Sequence, residues 1–296
     1  MEIIRTLAVM DGVTLTGGRQ ISDTDYSEYR KHFETLTDFG TEYDVLRMVE
    51  ESYNDFFNHL DTVAKNIAAT DHIISQDQFE PLTFTSSRLF MNYLAAVRTL
   101  VDHTQTLITR KYGNPSPQLV QFKGLAGLEY DSLASYRLLY KFRNYVQHCG
   151  LPPVEFLIEH EPGVSIKLDL TVDPSRLLEI YTEWGVAVRS DLESYEGKIS
   201  LLAILAENFE SVKRIFWGVF VQNNMNNVRL SGDWIKAFLG EGNICSSLCF
   251  VNLPADQPAG PNLNLKLQWI PAHILRLIGI VEESSSAISA ASTTAP

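Results

Sequence analysis

The chain has 296 residues, 45% of them apolar, which suffices for one large domain or two small ones with a real core. Its formal net charge of −12 at pH 7 excludes a protein that coats nucleic acid through bulk positive charge. Three cysteines (Cys149, Cys245 and Cys249) make no disulfide framework, and apolar runs such as Ile215–Val221 are far too short to span a membrane.

Glu2–Met10 and Val13–Thr16 read as strands around the turn pair Asp11-Gly12. Residues 24–70 read as helix, because Tyr43, Leu46, Val49, Tyr53, Phe56, Leu60, Val63 and Ile67 recur at three and four; Gly40 can split it. A loop with Pro81 is expected over 71–86, then a helix capped by Ser86 or Ser87 and running to about Tyr112. Gly113-Asn-Pro-Ser-Pro117 stops that helix, and 118–127 reads as a short helix or a loop with Lys123 exposed. The next helix is expected from about Leu128 to Cys149. Gly150 closes it and Pro152-Pro153 forbids its continuation.

The period then changes to two. Val154, Phe156 and Ile158, then Val164 to Val172, alternate with polar residues as a hairpin does. Asp173-Pro174 is a good helix start, with helix expected to about Ser194 and again over 198–222. A short helix at 233–239, strands at 244–253 and 263–270, a last helix at 272–282 and a disordered tail at 284–296 complete the reading. The expected class is mainly α: an antiparallel helical bundle with small β-hairpin and strand additions. The expected organisation is a β-like segment at 1–22, the bundle at 23–150, further hairpin, helices and strands packed on it at 151–283, then the tail.

The chemistry gathers at the end of the central helix. Arg143 and His148 lie about 140° apart around a helix, and Asn144 falls between them. Asn144 and His148 are an i,i+4 pair. A planar cation, an amide and an imidazole on one wedge suit a phosphodiester, which Arg grips with its fork while His moves a proton. Charge points the same way: residues 88–143 carry 8 basic and 3 acidic groups, against 6 and 16 before them and 10 and 17 after. Lys141, Arg137, Lys111 and Lys123 are therefore the candidate RNA-binding cations. Arg98 and His103 repeat the Arg–His spacing and, with Asp102, are secondary candidates. Arg98 and Asp102 can also form a simple i,i+4 ion pair.

Arg143-Asn144-Tyr145-Val146-Gln147-His148 resembles the Arg-polar-x(3)-His motif of HEPN domains (higher eukaryote and prokaryote nucleotide-binding). The surroundings are similar too: a helix upstream, then Phe-Arg-Asn-Tyr-x-x-His, then Gly-Leu-Pro-Pro. The resemblance implies a helical bundle, usually a homodimer, with two motifs facing one cleft. It implies catalytic Arg143, Asn144 and His148 in an endoribonuclease that needs no metal or other cofactor. It also implies RNA as partner, with a defence-system or antitoxin protein as a possible further one, in toxin–antitoxin, abortive-infection or other antiviral settings. Some such domains are silent and only bind or scaffold. No basic-then-apolar leader precedes the first strand, so a reduced cytoplasm is the expected compartment, without membrane association.

Overall fold

The computed structural model describes residues 3–69, 75–159, 166–240, 247–254 and 265–293. Among them the protein is mainly α with a few short antiparallel strands. No described helix is long and apolar enough to cross a membrane. The chain divides into two compact units, residues 1–43 with 220–296, and residues 44–219.

The first unit is built on a four-stranded sheet. Strand β1 (Ile3–Asp11) pairs antiparallel with β2 (Thr14–Ile21) around a two-residue turn in which Gly12 takes φ +56°. Only glycine adopts that conformation without strain. Gly18 is needed for a second reason: a Cβ there would lie 2.6 Å from the Thr6 methyl across the pair. The C-terminal strands β6 (Leu248–Pro254) and β7 (Lys266–Trp269) complete the order β2-β1-β6-β7. The sheet's Phe250 packs edge-on against Tyr26 and Tyr29 of helix α1 (Asp23–Ala69). Helices α8 (Met225–Leu239) and α9 (Ala272–Thr293) cross where Gly232 lets Ile278 approach; a Cβ there would sit 3.0 Å from it.

The second unit is a helical bundle with a small sheet. From Asp44 onward α1 buries Leu46, Val49, Phe56, Leu60 and Val63, the face that its three-four period predicts. Helix α2 (Gln76–Tyr112) buries Leu89, Phe90, Tyr93, Leu94 and Leu100. Helices α3 (Pro117–Ser132) and α4 (Ala134–Cys149) follow, and α7 (Leu201–Asn223) supplies Asn208, whose Oδ1 accepts from the buried Tyr93 hydroxyl at 2.8 Å. That bond satisfies two polar groups inside the core. Strands β3 (Val154–Glu159), β4 (Lys167–Val172) and β5 (Ile199–Ser200) form the sheet, and the helices α5 (Pro174–Ile180) and α6 (Val186–Ser194) lie between β4 and β5 in the chain.

Several boundaries differ from those expected. Helix α2 starts before Pro81, not after it. Pro81 falls in the second turn, where its missing N–H removes one ladder bond without ending the helix. Ser86 and Ser87 are thus buried helix residues and not caps; Ser86 Oγ sits 3.1 Å from His59 Nε2. Gly40 does not split α1 but makes room for Leu277, whose methyl would be 3.1 Å from a Cβ there. The expected helix 128–149 is divided at Leu133, and 118–127 belongs to α3. The expected helix 173–194 breaks at 181–185. There Trp184 is fully buried and its indole N–H donates to the Leu177 carbonyl at 3.1 Å, while Gly185 takes φ +78°. The short helix expected at 233–239 starts at Met225.

The tail expected to be disordered from 284 continues helix α9 to Thr293. The hydroxyls of Ser284, Ser285 and Ser286 donate to the carbonyls four residues back at 2.7, 2.8 and 3.0 Å. Pro162-Gly163, Cys245 and residues 255–264 lie outside the described residues.

Candidate functional site

Helix α4 carries the motif, and packing of one face sets its rotation. Ser135, Tyr136, Leu138, Leu139, Phe142 and Tyr145 are buried. Phe142 meets Phe90 edge-on at 5.3 Å and Trp184 at 5.8 Å, and Tyr145 stacks on Trp184 at 5.7 Å and 12°. Burying a ring such as that of Phe142 contributes about 1.5–3 kcal/mol. Burial also pushes the Tyr145 hydroxyl above its ordinary pKa. Once Phe142 and Tyr145 face the core, Arg143 and Asn144 are half-buried at the flank, and Gln147, His148 and Cys149 are exposed.

The helix ends as the sequence predicts. Gly150 takes φ +92° and ψ −153°, and its N–H donates to the Val146 carbonyl at 3.2 Å. His148 is therefore in the last turn, beside carbonyls that have no helical partner. Among the described residues, the side chains of Arg143, Asn144 and His148 make no hydrogen bond or ion pair, so all three keep their side-chain donors and acceptors for solvent or a ligand.

Arg143 also lines a cleft of about 20 Å³ with Leu94, Val97, Arg98 and Val101 of α2, Tyr136, Leu139 and Tyr140 of α4, and Asn208 of α7. His148 does not line it. The structure thus brings Arg143 to Arg98, the arginine of the second Arg–His pair. Arg98 donates through Nε to Asp102 at 2.8 Å and through Nη1 to the Tyr140 hydroxyl at 2.9 Å. The ion pair expected between Arg98 and Asp102 is present, and His103 is not part of the cleft. His103 Nε2 is buried without a hydrogen-bond partner among the described residues.

The other expected cations are dispersed. Arg137, expected to bind RNA, is a brace: its guanidinium grips both carboxylate oxygens of Asp191 on α6 and the Tyr130 and Asp131 carbonyls at the end of α3. Both side chains of this pair keep only 17% exposure. Lys141 is half-buried and passes beside Gly185, its ammonium 3.9 Å from where a Cβ would stand. Lys111 lies over the Tyr112 ring at 5.5 Å, and it is roughly 20 Å further along α2 than Arg98 at 1.5 Å per residue. Lys123 is exposed on α3, as expected, beyond the break at Leu133.

The sequence reading missed Tyr140. Its one signal is position, three residues before Arg143 and so on the same helical face, with 40% of its surface exposed. Among the described residues, no three His, Cys, Asp or Glu side chains gather as a metal site. Comparison with family models, with curated proteins and with solved structures found no match to this chain.

Proposed function

We propose that the protein is an endoribonuclease of HEPN type that works at Arg143, Asn144 and His148. One observation carries the reading. A guanidinium, an amide and an imidazole stand without side-chain partners among the described residues at the end of a helix whose other arginine, Arg137, makes four hydrogen bonds within the protein. Arg143 holds the phosphate and offsets charge on the phosphorane. The RNA 2′-oxygen attacks the adjacent phosphorus, its proton passes to a base, and the P–O5′ bond breaks as the 5′-oxygen gains a proton. The products are a 2′,3′-cyclic phosphate and a 5′-hydroxyl. His148 serves at one of the two proton transfers, a role worth about 10²–10⁴-fold. A second copy of the chain, in a homodimer, supplies the other histidine. DNA lacks the 2′-hydroxyl and stays intact.

A second reading has its own support. His148 has no orienting hydrogen bond among the described residues, and a proton-transfer histidine is normally held by one. A silent module that binds RNA or a protein partner fits that observation. Purified wild type and His148→Ala, each incubated with RNA in EDTA and analysed for product ends, separate the two. Cyclic-phosphate ends from wild type alone support the nuclease. Binding without turnover supports the silent module. Equal cleavage by both proteins removes His148 from the chemistry.

A further inference from the structure

We infer that Arg98, Tyr140 and Arg143 form a phosphate-binding subsite at the mouth of the α2–α4 cleft, taking a backbone phosphate of the RNA. This rests on the RNA-cleaving or RNA-binding reading of Arg143. Arg98 was the arginine of a motif copy that the site did not use, and the structure gives it a different task.

The donors converge in a defined way. A guanidinium has five N–H groups; Arg98 spends one on Asp102 and one on Tyr140, which leaves three. Those two bonds, with the guanidinium carbon 5.3 Å from the Tyr140 ring centroid, hold its plane in place. The Tyr140 oxygen accepts from Arg98, so its own proton is available to donate. Arg143 follows Tyr140 by three residues, on the same side of α4, with all five N–H groups uncommitted among the described residues. The ring of Tyr130 meets Tyr140 edge-on at 6.0 Å and fixes it from behind.

Charge at the mouth favours an anion. Asp102 cancels one of the two guanidinium charges. The nearby Glu129 is held by Arg214 through two bonds of 2.8 and 2.7 Å, so its charge is already answered. Arg98, Arg143 and Asp102 together leave one net positive charge. Size places the ligand: about 20 Å³ holds little more than one water, so no base enters, and the anion sits outside. There Arg98 keeps 32% of its side chain exposed and Tyr140 keeps 40%. The apolar floor of Leu94, Val97, Val101 and Leu139 strengthens charged hydrogen bonds made above it. Arg143 thus has a neighbour with which to share a phosphate. Two forks on one phosphate fix its orientation, as a single arginine does not.

The test is binding of a 2′-O-methyl decanucleotide, which lacks the attacking hydroxyl and remains whole. Affinity is measured across salt for wild type, Arg98→Gln, Arg98→Lys, Arg143→Gln, the double Gln variant and Asp102→Asn. Arg98→Gln is expected to weaken binding about 5–10-fold and to lower the slope of log affinity against log salt by about 0.7. Arg98→Lys keeps the slope and loses part of the affinity, because it keeps the charge but not the fork. Asp102→Asn tightens binding, which loss of a merely structural ion pair would not do. The double variant departs from the product of the two single losses, because two groups on one phosphate are coupled. If Arg143→Gln weakens binding and neither Arg98→Gln nor Asp102→Asn changes it, the subsite is wrong and the RNA reading survives. If wild type binds no oligonucleotide, the RNA reading falls. Inorganic phosphate then decides the subsite alone: shifts of the Arg98 and Arg143 guanidinium NMR signals, lost in Arg98→Gln, keep it as a general anion site, and their absence overturns it.

Discussion

The two ends of helix α4 are opposites. At its N-terminal end Arg137 spends its guanidinium on Asp191 and on two carbonyls of α3, and every bond is internal. At its C-terminal end the side chains of Arg143, Asn144 and His148 bond to nothing among the described residues. The same residue type is structural six positions before it is free. The difference lies in what the fold places opposite: a carboxylate from α6 meets Arg137, and no described carboxylate meets Arg143.

His148→Ala tests the free end most severely. RNA cleavage is expected to fall 10²–10⁴-fold while the denaturation midpoint hardly moves, since an exposed side chain without partners carries within about 0.5 kcal/mol. A large stability loss would make the free end structural after all. Arg137→Ala should do the reverse. It should destabilise by about 2–3 kcal/mol, less than the ~3–5 kcal/mol of a fully buried pair because both partners keep 17% exposure. Adding Asp191→Asn should restore part of the loss by removing the stranded charge. Urea titration measures both, and a loss under about 0.5 kcal/mol would demote the brace.

Gly150→Ala probes the boundary of the free end. At φ +92° and ψ −153° an alanine costs about 1–3 kcal/mol, and relief by shifting the chain would displace His148. Activity should therefore drop along with stability, unlike in either variant above. An alanine variant as stable and active as wild type would show that this cap is not needed.

The smallest effect concerns the other committed pair. Arg214 donates to both Glu129 oxygens and holds that carboxyl below its ordinary pKa. A depressed folded pKa gives stability that is fully present above the unfolded value and lost as pH falls through the folded one. Glu129→Gln should cost about 0.5–1 kcal/mol at pH 7, and the gap from wild type should close on acidification below the usual carboxylate range. A gap that stays constant with pH would remove the ion pair as its cause.

Much of the framework was legible because it is periodic. The buried faces of α1 and α2, the alternation of β3 and β4, and the stop at Gly150 follow from local spacing and backbone geometry. Asp173 also caps α5 as expected, accepting from the Ser175 N–H at 2.9 Å. The site was legible in part. The wedge of Arg143, Asn144 and His148 follows from helix angles, but its cleft does not. Arg98 meets Tyr140 from 42 residues away, and Arg137 meets Asp191 from 54. No local pattern tells which cation a distant carboxylate will claim. That is why Arg137 looked like an RNA ligand. Pro81 and the serines of α9 were misread for a related reason: residues that disfavour a helix on average are accepted where the neighbouring turns and packing already support it.

The extended residue Leu133 has a consequence of its own. A helix is a rotary register, in which adding one residue turns everything beyond it by about 100°. At φ −121° and ψ 118° Leu133 interrupts that register, so the phase of α4 is set by its own aromatic face and by the bonds of Arg137 to the end of α3. An added or lost residue at this joint leaves the spacing within the motif unchanged. The same change between Phe142 and His148 would swing the imidazole by more than a quarter turn. The joint lets α4 take a rotation that does not continue from α3, while Arg137 ties the two helices together.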